Sequence, residues 1–256
     1  MLQLQRTIAL TTIRFFWLCI VHLIGNEANT PPFLGETEAT WTLDELLLDE
    51  MRKDNADLST EINPVQMLKS KLYMIFGDDE VGALFAIKHS NQFVKSSPAY
   101  QNIMTDTFAR GISLYSMAIK TGESKYKRHA REVHQTIRNW KKKQNPNVIH
   151  HVALLDAEEA TLNGKFEKAE SLYQSAKMLA SNAGILPDAA LAAERMAEML
   201  LLRVQVGHSL QRKTEAVTML EEAINLYSEW GSKKKVEQLQ RKCDSIRRTG
   251  SIGGSE

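Results

Sequence analysis

Between Val148 and Ile246, apolar residues recur at intervals of three and four, interrupted by short joints rich in Gly, Asn and Pro. That spacing places them on one face of a helix. Two of the segments carry the same order of small and large side chains. One reads Ala169, Leu172, Tyr173, Ala176, Leu179; the other reads Ala216, Met219, Leu220, Ala223, Leu226, each 47 residues later. A fixed offset of that size marks stacked helical units. The expectation is an all-α fold, an α-solenoid of antiparallel helix pairs.

The pattern continues upstream. Asn63 and Pro64 suit a helix start, since proline's missing N–H is not needed in a first turn. Met67, Leu68, Leu72, Ile75 and Phe76 follow, up to Gly77. Asp78 and Asp79 favour a second start by complementing the helix dipole, and Ser97-Pro98 breaks that helix. Another runs from Ile103 to Gly122. In Ser124–Lys143, Tyr126, Ala130, Val133, Ile137 and Trp140 are spaced four, three, four, three, the clearest amphipathic stripe in the chain. Pro187 opens a helix containing Ala189, Ala190, Ala192, Ala193 and Ala197, side chains small enough for close helix approach. The reading gives an N-terminal helical part over 1–146, repeats over 147–248 and a Gly/Ser-rich disordered tail over 249–256.

Residues Ile8 to Ile24 are strongly apolar, but Arg14 lies among them, and a central arginine costs about 2.5–3.5 kcal/mol on membrane insertion. The polar residues Thr7, Thr11, Arg14 and His22 fall on one narrow stripe, which fits a helix buried by neighbours. A membrane-anchored adaptor is the alternative. Gly25 to Thr40 reads as a loop, with Thr42 capping the next helix.

Composition changes little in this picture. The 256 residues are 43% hydrophobic and 25% charged, which excludes global disorder, and the net charge of +1 gives no general pull toward nucleic acid or acidic membranes. Cys19 and Cys243 form no CxxC pair, so both are expected as reduced thiols in a cytoplasmic chain. Phosphate-loop, kinase and HExxH motifs are missing from the sequence. His129 and His134, five apart, point away from one another on a helix, and the adjacent His150 and His151 are expected to diverge. No cofactor, metal site or catalytic residue is expected, and the histidines read as surface or capping groups. Ser232 and Lys235 form an S-x-x-K without the companion motifs of that enzyme class.

The sharpest candidate surface is basic. Lys125, Lys127, Arg128, Arg131, Arg138, Lys141, Lys142 and Lys143 lie close together, with Glu132 opposing them. Such a face binds acidic partners, or is simply solvated; Tyr126 and Trp140 belong to the apolar stripe and do not serve base stacking. Trp230, at a helix joint, reads as a buried plug between repeats, for which truncation to Ala costs about 3–5 kcal/mol.

Gly164-Lys165-Phe166 through Ala176, Gly184 to Glu194, and Tyr227 to Leu239 together resemble one helical region. It is the tetratricopeptide-like segment of multidomain signalling proteins of the hybrid signal-transduction histidine kinase type. Phe15 to Glu36, Lys71 to Gly77 and Asn147 to Leu162 are similar to other parts of it. The YxxWGxxxKV element, with Trp230, Gly231, Lys235 and Val236, is the most specific stretch. The resemblance implies a parent layout of kinase-like, ATPase and GAF sensor domains around this region. None of those domains has a counterpart here, so no catalytic residue of theirs has a position to occupy, and the chain is expected to be a fragment or stand-alone relic of the scaffold.

The expected function is therefore a non-enzymatic scaffold for protein–protein interaction or signal relay. Its expected partners are proteins, including kinase, ATPase or sensor domains; nucleic acid is disfavoured. The rivals are the membrane adaptor and a helical enzyme subunit. A cluster of perturbed carboxylates or histidines in a deep pocket favours the last.

Overall fold

The computed structural model describes residues 59–89, 102–207 and 210–251. The apolar 8–24 segment, the 25–40 loop, the Thr42 cap, Cys19 and the Ser97-Pro98 break lie outside the described residues.

All regular structure among the described residues is helical. The helices are α1 (Ser59–Phe76), α2 (Asp79–His89), α3 (Asn102–Thr121), α4 (Ser124–Lys142), α5 (Ile149–Leu162), α6 (Phe166–Asn182), α7 (Leu186–Gly207), α8 (Leu210–Trp230) and α9 (Lys233–Ser251), with a 3-10 turn at Pro146–Val148. From α3 onward each helix packs on the next in sequence, α3 also touches α5, and α1 and α2 both pack on α3. Joints of a few residues force sequence neighbours to run antiparallel.

The repeated pattern is realised position by position. Ala169, Tyr173 and Ala176 of α6 are buried, as are Ala216, Leu220 and Ala223 of α8. The intervening Leu172 and Leu179, like Met219 and Leu226, are partly buried against the same core. Both helices end on a glycine at the same offset, Gly184 with φ 71° and Gly231 with φ 92°. Residues with a Cβ adopt this left-handed conformation at a cost, so the C-terminal turn favours glycine.

One core runs from Met74 to Cys243 and crosses the 146/147 joint without a break. Tyr126, Ala130, Val133 and Ile137 of α4 enter it, and the five alanines of α7 are essentially inaccessible. At Gly111 of α3 a Cβ would sit 3.0 Å from a Leu155 methyl, so the missing side chain is what lets α3 and α5 approach. Cys243 is a buried free thiol.

Several local expectations change. α1 begins at Ser59, upstream of the Asn63 cap, and Pro64 stands in the second turn. It forfeits one helical hydrogen bond there without ending the helix. The last helix continues to Ser251, so the stretch expected as a disordered tail is helical at its start. Trp230 is only partly buried, 6.3 Å from the ring of Tyr227, while Tyr227 is completely buried. Tyr227 and not Trp230 plugs the joint. None of the described helices is long and apolar enough to cross a membrane.

Candidate functional site

The helices line a cavity of about 250 Å³ that is partly open to solvent. Residues from both ends of the described chain wall it. Asp79 opens α2 and Lys120 closes α3; Glu194, Arg195 and Glu198 come from α7, and Lys235, Gln238 and Lys242 from α9. Glu198 follows Glu194 by four and Arg195 by three, and Lys235, Gln238 and Lys242 are spaced three and four, so each helix turns one polar face toward the same space.

The charges are paired. Arg195 Nε and Nη2 donate to the two carboxylate oxygens of Glu158 on α5 at 2.7 and 2.8 Å, a fork-to-fork contact between buried groups. Arg195 Nη1 also donates to Glu198 Oε2 and, at 3.2 Å, to Ser116 Oγ. Ser116 Oγ donates in turn to Asp79 Oδ2 at 2.5 Å, and the same oxygen accepts from Lys120 Nζ at 2.6 Å. Lys242 Nζ donates to Glu198 Oε1 at 2.8 Å. Behind this wall the Tyr173 hydroxyl donates to Glu158 Oε1 at 2.9 Å. Glu194 accepts from Lys235 Nζ at 2.8 Å and from the Tyr227 hydroxyl at 3.2 Å. Lys235 is thus held by Glu194 and Gln238, while Ser232 Oγ is buried without a hydrogen-bond partner. The S-x-x-K spacing places no nucleophile against a base.

Burial alone would raise the pKa of Glu198, but the Arg195 and Lys242 cations outweigh it and bring it down to about 2. A carboxylate lowered in the fold contributes stability that is fully present above its unfolded value near 4.5 and is lost as pH falls toward 2. Glu198→Gln should therefore flatten the loss of stability between those limits in urea titrations. An acid limb of unchanged steepness would show that Glu198 is not responsible for it.

The basic stretch divides. Lys125, Arg128, Lys141, Lys142 and Lys143 are exposed and Lys127 is half-buried. Arg138 instead turns onto α5, where it bonds both Asp156 and Glu159, with Arg131 3.9 Å from Glu159. Lys125 pairs with Glu123 at 2.9 Å. Acids from the next helix and from the preceding joint therefore neutralise part of a face that looked uniformly basic.

The histidines require a correction. His134, His150 and His151 are buried, not surface or capping groups. His150 and His151 do not diverge: their Nε2 atoms lie 3.0 and 2.9 Å from the same oxygen, Asp188 Oδ2. They lie in the first turn of α5 and Asp188 in the first turn of α7, and one carboxylate oxygen meets the Nε2 edges of both rings, whose centroids are 4.1 Å apart. Burial works to raise the Asp188 pKa, yet the two imidazole contacts hold it well below the usual carboxylate range. Burial pushes His151 below its ordinary value, against the pull of Asp188. His134 meets the Tyr115 hydroxyl at 2.9 Å through Nδ1 and Asp156 at 3.1 Å through Nε2. Two groups among the described residues thus bring imidazole and carboxylate ligand atoms within 4.8 Å of one another: His150, His151 and Asp188, and His134, Asp156 and Glu159.

The acids lining the cavity are tied to cations: Asp79 to Lys120, Glu194 to Lys235, and Glu198 to Arg195 and Lys242. Compared with known protein families, characterised proteins and solved structures, the chain matches none.

Proposed function

We propose that the chain is a non-enzymatic, tetratricopeptide-like scaffold that binds a charged protein segment and relays its presence within a larger signalling assembly. The observation that carries this reading is the cavity faced by α7 and α9, with Lys120, Lys242, Glu198 and Gln238 on its wall. Lys120 and Lys242 keep part of their surface exposed, so an incoming carboxylate can compete for them without exposing the buried Glu158–Arg195 pair. The equivalent burial of α6 and α8 supports a stack of repeated units. The resemblance to signalling scaffolds supports the class of partner.

The test is photo-crosslinking from position 238, followed by identification of the attached peptide. A captured protein segment that is lost in folded Lys242→Glu supports the cavity. Capture that survives that change but disappears when Lys141, Lys142 and Lys143 become Glu moves binding to the α4 face. If neither change affects capture, the scaffold reading of both surfaces is wrong.

A further inference from the structure

We propose that His150, His151 and Asp188 form a binding site for a divalent transition-metal ion such as Zn(II). Three ligand atoms converge there: the two Nε2 atoms lie 3.0 and 2.9 Å from Asp188 Oδ2, and all three are within 4.8 Å of one another. In a tetrahedral site with metal–ligand bonds of about 2.0–2.1 Å, neighbouring ligand atoms stand about 3.3 Å apart. The two nitrogen–oxygen distances come within a few tenths of an ångström of that spacing. Two imidazoles and one carboxylate form a donor set of intermediate hardness, suited to zinc and its neighbours and unsuited to calcium or magnesium. Three protein ligands leave a fourth position for water.

The surroundings hold this geometry. Both elements are helices in their first turns, and Phe108 stacks on the His151 ring at 4.1 Å with the planes 17° apart. The hydrogen bond that the His151 ring makes is the one between Nε2 and Asp188 Oδ2.

The second group does not compete on equal terms. Asp156 and Glu159 already receive the Arg138 guanidinium, and the Tyr115 hydroxyl meets His134 Nδ1. A metal ion there would face a fixed cation. At His150, His151 and Asp188 the ion would neutralise a buried carboxylate held by two imidazoles, with Lys71 of α1 the cation that acts on His151.

The full chain, stripped with chelator and dialysed against Zn(II), should retain one equivalent. X-ray absorption of the zinc form should show two imidazoles and no sulfur in the first shell. His150→Gln and His151→Gln should each weaken binding by at least about a hundredfold, since loss of outer-shell support alone costs 10- to 100-fold. No retained zinc overturns the proposal. So does a shell with one imidazole, which is the signature of the His134 group, or one containing sulfur. Unchanged affinity in the folded variants overturns it too. If the variants fail to fold, the ligand count of the wild-type zinc form decides.

Discussion

Arg195→Ala is expected to lower the unfolding free energy by about 3–5 kcal/mol, measured by urea denaturation at neutral pH. Arg195 is 9% exposed at the side chain and its partner Glu158 is fully buried. Together they cross from α7 to α5, and the guanidinium extends the network to Glu198 and Ser116. Deleting the cation leaves a fully buried carboxylate with the Tyr173 hydroxyl as its remaining hydrogen-bond donor. The penalty comes from that stranded charge, not from the lost attraction itself. Replacing both members, Arg195→Met with Glu158→Leu, should recover most of the loss, because no uncompensated charge remains. A single-variant cost below about 1 kcal/mol would show that water reaches Glu158 and that the pair is not buried in solution.

Tyr227→Ala should cost about 3–5 kcal/mol, and clearly more than Trp230→Ala. The tyrosine ring is fully enclosed, and its hydroxyl supports Glu194. Lys235 Nζ stands 5.7 Å from the centre of that ring. Removing the side chain opens a void and takes one of the donors from a buried carboxylate. Trp230 touches the same core but keeps part of its surface in solvent, so less is lost with it. Melting curves of the two variants give the ranking, and an equal or reversed order would restore Trp230 as the plug.

The local part of the fold was readable because it is periodic. The Ala169 and Ala216 patterns, the stripe from Tyr126 to Trp140 and the glycine joints all follow from helix geometry within a few residues. The site was not readable, because its contacts join residues far apart in sequence. Nothing near Arg195 announces that its partner is Glu158, 37 residues earlier. Arg138 was counted among surface charges because Asp156 and Glu159 arrive only with the following helix. The rule that adjacent helical residues diverge failed at His150 and His151 because it describes directions around one helix. A third residue, supplied by α7, can still meet the ends of both side chains. Lys235 lay inside the most specific stretch of the resemblance, but its bond to Glu194 depends on packing between α7 and α9.

The side-chain amide of Gln238 donates to the backbone oxygen of Phe76 at 2.9 Å, joining residues 162 apart. In a linear array of repeats, each unit meets only its neighbours, so unfolding can begin at a free end and spread as a zipper opens. A clasp between the first and last of the described helices removes that freedom. Forming it requires a very large loop to close, so it belongs to a late stage of folding and lengthens the search that precedes it. Once formed, it ties the fate of α1 to that of α9. Loss of the last helix should then be felt at the first, and the assembly should melt as one unit.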